Sequence, residues 1–123
     1  MPKKTKITWL RKADKQDYAA ALSYLSLVYK PGKAMAQVDK LKRASLSKFK
    51  PQDIFRASRL SLLGVSNSHV KKDKQKIKSG RALSPLLLVR DSANGTVIIA
   101  DGYHRLCAVY FYHEDALIPC CIV

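Results

Sequence analysis

Acidic side chains are scarce in this sequence. It has nine Asp and Glu against 23 Lys and Arg, and Glu114 is its only glutamate. A general base must lie within hydrogen-bond reach of the proton that it takes, so a catalytic site would draw on few side chains. The candidates are Glu114, Asp53, Asp73, Asp101, His69 and His104.

Several motifs and segments are also missing. The five glycines form no Walker-type phosphate loop, and no serine stands in a Gly-x-Ser-x-Gly setting. No apolar run approaches the roughly 20 residues that cross a bilayer, and the first residues lack the apolar stretch of a signal peptide. We therefore expect a cytoplasmic protein that does not associate with a membrane.

Cysteine is sparse, with three residues. No pair has the spacing of metal ligands, so we predict no metal site. Cys107 falls in a helix that we expect to be buried. Cys120 and Cys121 are adjacent, so one of them should face outward if they lie on a strand, because neighbouring strand residues alternate between faces.

Positive charge is abundant and unevenly spread. The net charge is +14, and residues 1–50 carry 13 Lys and Arg against three Asp. Such a charge attracts polyanions and speeds their encounter with the protein. Nucleic acid, nucleotides, acidic proteins and anionic surfaces all remain possible partners, and so does a basic face that is only solvated.

The length of 123 residues suits a single domain. Residues 1–12 resemble a basic arm anchored by Trp9 and Leu10, and a loop is predicted from Gly64 to Ser68. Apolar periodicity and turn signals predict an α+β fold, with residues 46–49 either a strand or a turn. The predicted helices span residues 14–29, 34–44, 51–58, 70–78 and 103–112, and the predicted strands span residues 86–89, 96–100 and 118–123.

The most informative segment runs from Thr96 to Tyr110. A β-branched run ends at Asp101-Gly102, and a helix then begins with Tyr103-His104-Arg105. Free backbone N–H groups and the positive end of the helix dipole suit an anion, most often a phosphate. His104 can donate a hydrogen bond, and Arg105 offers a planar fork for two phosphate oxygens. Asp101 could cap the helix, hold Arg105 or bind a metal ion; a capped helix with an Arg–Asp surface pair is the alternative.

A second candidate cluster is Asn67-Ser68-His69-Val70-Lys71-Lys72. A polar loop enters another helix here, so its free N–H groups could meet a second anionic group, with point charges from Lys71 and Lys72. An ordinary surface helix capped by Asn67 or Ser68 explains the same pattern.

From about residue 60 the chain resembles the ParB/sulfiredoxin superfamily. The matching features are a helix ending at residues 76–80, Leu83-Ser84-Pro85 leading into a strand, a hairpin, residues 98–105, and a last helix and strand. The resemblance implies a ParB/sulfiredoxin-like mixed sheet with flanking helices over residues 60–123, to which residues 1–59 add a basic helical extension packed on the same domain. It also implies nucleotide phosphates at the N-terminus of the helix that opens with the motif, with further contacts from the helix of residues 70–78.

The motif departs from each branch of that superfamily. Gly102, His104 and Arg105 match the Gly-x-His-Arg of sulfiredoxins, but Tyr103 replaces their attacking cysteine, so repair chemistry is not expected. Asp101, Gly102 and Arg105 resemble the Asp-Gly-His-Thr-Arg of free-serine kinases, whose base is an upstream glutamate that this chain lacks. ParB proteins bind CTP with Gly-Glu-Arg-Arg here and carry a downstream DNA reader, so a partitioning role is not expected. Some members of the superfamily are described as nucleases.

The leading hypothesis is a domain that binds a nucleotide (ATP, ADP or CTP) or another phosphorylated small molecule, with Mg²⁺ as a possible companion. Phosphoryl transfer or phosphodiester cleavage would be its chemistry. The alternatives are a non-catalytic nucleic-acid-binding module and an interaction component of a toxin–antitoxin-type system, and the oligomeric state stays open. The candidate catalytic residues are Asp101, His104 and His69, and the candidate ligand-binding residues are Gly102, Tyr103, His104, Arg105, Asn67, Ser68, Lys71 and Lys72.

Overall fold

The computed structural model describes residues 5–62 and 67–123. The predicted loop beginning at Gly64 lies largely outside these residues, as do the first four residues of the basic arm. In the part of the chain that the structure describes, five α-helices surround one four-stranded mixed sheet, so the predicted α+β class with flanking helices is confirmed. The helices are α1 (Lys15–Val28), α2 (Pro31–Arg43), α3 (Pro51–Ser58), α4 (Ser68–Lys78) and α5 (Tyr103–Tyr112).

The strands are β1 (Leu46–Phe49), β2 (Leu86–Asp91), β3 (Thr96–Asp101) and β4 (Ile118–Ile122), in the order β1-β4-β2-β3. β4 runs antiparallel to β1 and parallel to β2, and β2 and β3 form the expected antiparallel hairpin around the turn Ser92–Asn94. The pairing of β2 with β3 shifts by one residue where Leu87 faces Asp101 and Leu88 faces Ile99. This irregularity immediately precedes the start of α5, and such bulges commonly re-aim side chains next to binding sites.

Helices cover both faces of the sheet. Leu87 and Val89 of β2 pack with α1 and α2, whereas Leu86 and Leu88 pack with α3, α4 and α5. This explains why the expectation of one outward-facing cysteine is wrong: Cys120 points to one helical layer, Cys121 points to the other, and both are buried. Burial raises the pKa of the Cys120 thiol to about 12, so it stays a protonated, inert thiol at neutral pH.

The first 59 residues take part in the core. They contribute β1 and, in α1 and α2, the whole helical layer that contains Ala21, Leu25 and Leu41. α2 begins at Pro31, three residues earlier than the periodicity predicts. The sequence indicates Pro31 as part of the stop of α1, but proline is also favoured at the first position of a helix, and it starts α2. Trp9 forms an isolated parallel β-bridge with Leu83, which confirms the expected anchoring of the arm.

Among the described residues, no helix is both long and apolar enough to cross a membrane.

Candidate functional site

A polar cavity of about 210 Å³ lies between α4 and the start of α5. One stripe of α4, spaced three and four residues apart, forms one wall, and the junction of β3 with α5 forms the other. The wall from α4 consists of His69, Lys72, Asp73 and Lys76, and the junction contributes Asp101, Gly102, Tyr103, His104 and Arg105.

The two clusters predicted from the sequence therefore meet, although not through every predicted residue. His69 and Lys72 line the cavity, whereas Lys71 is exposed and is not part of its lining. Asn67 caps α4: its side-chain oxygen accepts hydrogen bonds from the N–H groups of His69 and Val70, at 3.0 and 3.2 Å. Ser68 is the exposed first residue of α4 and also lies outside the lining.

Arg105 is held by acidic partners. Its Nη2 donates hydrogen bonds to Asp101 Oδ2 at 3.0 Å and to the Pro85 carbonyl oxygen at 3.3 Å, and it lies 3.5 Å from Asp17 Oδ2. The three charged side chains are at most 19% exposed. The sequence allows Asp101 to cap the helix, to hold Arg105 or to bind a metal ion, and the observed contact is the one with Arg105. A guanidinium that binds two phosphate oxygens would use Nη2, and in Arg105 this atom already donates hydrogen bonds to Asp101 and Pro85.

Asp17, which contacts Arg105 from α1, is not among the residues that the sequence predicts for the site. It lies on α1 in line with Ala21 and Leu25, and all three are buried. An acidic residue on the apolar stripe of a helix is a usable signal, because a buried carboxylate needs a partner. What the sequence could not supply was the identity of that partner, 88 positions further along the chain.

Burial is the main influence on the Asp101 carboxyl. Desolvation raises its pKa, Arg105 pulls the pKa back down, and the neighbouring Asp17 raises it again. Two carboxyls that share one guanidinium favour retention of a proton by one of them. The Asp101 carboxyl in the lining of the cavity therefore takes up a proton more readily than an isolated aspartate does.

The start of α5 offers backbone donors to the cavity. Gly102 is its N-cap at φ +106°, and among the described residues no side chain caps the helix. The N–H groups of the first turn have no intrahelical acceptor, so they and the dipole favour an anion at this end. Gly102 also lets two groups approach closely: a Cβ here would lie 2.8 Å from Leu86 Cγ and 3.0 Å from Arg105 Nη2.

Two imidazoles lie against each other in the lining of the cavity. The ring centroids of His69 and His104 are 4.8 Å apart, at 39° between their planes. Desolvation lowers the pKa of His104, His69 lowers it further, and Asp73 opposes the shift. Burial likewise raises the pKa of Asp73, against the pull of Lys76 Nζ, which lies 3.9 Å from Asp73 Oδ1. The lowered pKa favours the neutral form of the His104 imidazole, which can accept a proton.

The shift at His104 has a consequence for stability. Because its pKa is lower in the folded protein than in the unfolded chain, the folded state binds fewer protons, and stability falls as the pH drops below about 6.5. We expect His104→Asn to lose less stability than the native protein between pH 7.5 and 5.5 in urea denaturation. Asp73 and Asp101 act in the opposite direction, so the difference between the two proteins is the informative quantity. Equal losses of stability in the variant and the native protein would contradict the lowered pKa of His104.

A larger and more apolar cavity of about 390 Å³ adjoins the polar one. The two share residues 101–104, and the apolar side is formed by Ala20, Tyr24, Leu60 and Ile99. Tyr103 lines both cavities, and its hydroxyl donates a hydrogen bond to the Ser61 carbonyl oxygen. A further cavity of about 210 Å³ opens between α3 and the sheet, but Asp53 and Arg90 are its only charged lining residues among those described.

Within residues 5–62 and 67–123, no three His, Cys, Asp or Glu side chains are grouped so that they could hold a metal ion. Comparison of the chain with protein-family models, curated proteins and solved structures gives no significant match.

Proposed function

We propose that this protein binds a phosphorylated ligand, a nucleotide in particular, in the cavity between α4 and α5. The observation that carries the proposal is the convergence, on one space of about 210 Å³, of an uncapped helix start, two lysines and two imidazoles. The phosphate would accept hydrogen bonds from the first-turn N–H groups of α5 and from Lys72 and Lys76. Arg105 would act by orienting Asp101 rather than by binding the phosphate.

The adjoining cavity supports a nucleotide over a bare phosphate. Its apolar lining includes Tyr24 and Ile99, and it joins the polar cavity at residues 101–104. A ring with a phosphate attached would place its ring against Tyr24 and its phosphate at His104. ATP, ADP and CTP are the proposed ligands, and Mg²⁺ enters the proposal as the companion of their phosphates, facing Asp73.

A second candidate function is phosphodiester cleavage or phosphoryl transfer. The facing rings of His69 and His104 favour it, because one imidazole can take a proton while the other gives one. Asp101, with its raised pKa, is a further proton donor. The lysines would stabilise the charge that develops on the phosphoryl oxygens.

Two other parts of the proposal rest on less local observations. The ParB/sulfiredoxin-like relationship is supported by the strand β3, the Asp101-Gly102 turn and the helix α5, which follow one another as in that superfamily. A cytoplasmic location is supported by Cys120 and Cys121, which are buried and form no disulfide in the described part of the chain.

The binding proposal is tested by calorimetric titration of phosphate, ADP, ATP and CTP, each with and without Mg²⁺. We expect Lys72→Ala to weaken the binding of the best ligand by about tenfold, the value of a charge-assisted hydrogen bond. Lys71→Ala is the matched control, since it removes the same charge from the neighbouring position outside the cavity, and we expect its effect to stay within about twofold. Equal weakening by both variants would show that the general positive charge binds the ligand, and not this cavity.

A further inference from the structure

Three neighbouring cavities along α4 and the start of α5 share lining residues, and together they are called the cleft here. The apolar cavity joins the polar one through residues 101–104, and the polar one joins a basic groove of about 340 Å³ through Lys72 and Lys76. The groove continues past Gln75 and Ser79 to Arg81. A mononucleotide would leave the basic groove unused.

We infer that the cleft holds a single strand of nucleic acid, with an unpaired base in the apolar cavity and successive backbone phosphates over the polar cavity and the basic groove. This inference rests on the proposed function, because it assigns the bound phosphate to a longer chain of phosphates. The order of surfaces along the cleft, first aromatic and then cationic, is the order that a base followed by its backbone requires.

The apolar end suits stacking. Tyr24 is 47% exposed and Leu60 is 44% exposed, although both line a concave cavity. Aromatic side chains bind unpaired bases through their faces with little dependence on sequence. A base in a duplex is already stacked on its neighbours and cannot enter such a cavity, so the geometry favours a single strand over a double helix.

The basic end suits a backbone. Arg81 lines the groove together with Lys72 and Lys76, which the polar cavity shares, and no acidic side chain is among the described lining residues of the groove. One of the three, Lys76, has Asp73 as a neighbour at 3.9 Å. The polar cavity itself contains two carboxylates, Asp73 and Asp101, which offset part of its positive charge. A further phosphate in the groove would gain the charge of Arg81 and meet no carboxylate among the described lining residues, so affinity should grow when the strand is long enough to reach Arg81.

The test compares fluorescein-labelled single-stranded hexanucleotides, a duplex of the same sequence, and a mononucleotide in 150 mM salt. We expect the single strand to bind at least tenfold more tightly than the mononucleotide, and more tightly than the duplex. Arg81→Ala should weaken hexanucleotide binding by about fivefold and leave phosphate and mononucleotide binding unchanged. Arg43→Ala, which removes an exposed arginine in the last turn of α2, is the control and should have little effect.

Tyr24 provides a second, independent readout. We expect Tyr24→Ala to weaken the binding of the single strand by about tenfold, and Tyr24→Phe to restore it, because the phenyl ring keeps the stacking surface. Tyr24 is half exposed, so neither variant should prevent folding.

The inference is overturned if the hexanucleotide binds no more tightly than the mononucleotide, if Arg81→Ala and Arg43→Ala act alike, or if the duplex binds as well as the single strand. In each of these cases the proposed phosphate site stands as long as Lys72→Ala still weakens phosphate binding more than Lys71→Ala. If that difference is absent too, the proposed function fails as well.

Discussion

Arg105→Ala is expected to lower the free energy of unfolding by about 3–5 kcal/mol at pH 7, the usual cost of removing one partner from a buried ion pair. Arg105 lies between two carboxylates, at 3.0 Å from Asp101 and 3.5 Å from Asp17, and the Asp17 side chain is only 9% exposed. Without the guanidinium both carboxylates would be buried without a cation. Urea denaturation of the native and variant proteins measures the loss directly.

A neutralising second substitution separates this explanation from simple loss of packing. Asp17→Asn removes one of the stranded charges, so we expect it to recover part of the loss in the Arg105→Ala background and to destabilise the native background. Acidification supplies a further check: the pKa of Asp101 is already raised, and protonation should reduce the cost of Arg105→Ala as the pH falls from 7 to 5. A loss below about 1 kcal/mol, or one unchanged by Asp17→Asn, would contradict the buried cluster.

The same cluster links the N-terminal half of the chain to the site. Asp17 reaches Arg105 from α1, and Ala20 and Tyr24, one and two turns further on, line the apolar cavity. α1 therefore buries Ala21 and Leu25 against the sheet and also forms part of the site. The proposed ligand would contact residues from both ends of the chain, so loss of α1 should affect stability and binding together.

Local patterns in the sequence account for most of the secondary structure. Apolar spacing and the residues that start and stop helices predict α1, α3, α4 and α5 to within two residues at either end, and the Asn94-Gly95 turn predicts the β2–β3 hairpin. These features depend on side chains a few positions apart, which is why one sequence suffices. The burial of both Cys120 and Cys121 depends instead on two helical layers formed by distant segments.

The candidate site divides in the same way. The strand–turn–helix at Asp101-Gly102 and the neighbouring cluster at His69 and Lys72 are visible in the sequence, because each is a local pattern. Asp73 and Lys76 follow from helical period once α4 is known to present His69 to α5. The position of Asp17 on the apolar stripe of α1 indicates a buried carboxylate, but its partner Arg105 is brought to it by packing alone. That ion pairing changes the role that the sequence position of Arg105 indicates.

Gly102→Ala is the second substitution with a large expected effect, a loss of about 2–4 kcal/mol in the free energy of unfolding. Two costs combine. The φ of +106° at this position strains the backbone of any residue with a side chain. The added methyl group would also lie 2.8 Å from Leu86 Cγ in a packed core. Leu86 is fully buried, so it has little room to move away.

Gly80→Ala separates the two costs. Gly80 also has a positive φ, +77°, but no described atom lies within 4 Å of the position that its Cβ would occupy. We therefore expect only the backbone strain, about 1 kcal/mol, when both variants are compared by urea denaturation. If the two alanines cost the same, the close approach of Leu86 and Arg105 to Gly102 is not what requires glycine at the start of α5. The site would then tolerate a side chain at the position where the proposal brings a phosphate closest to the backbone.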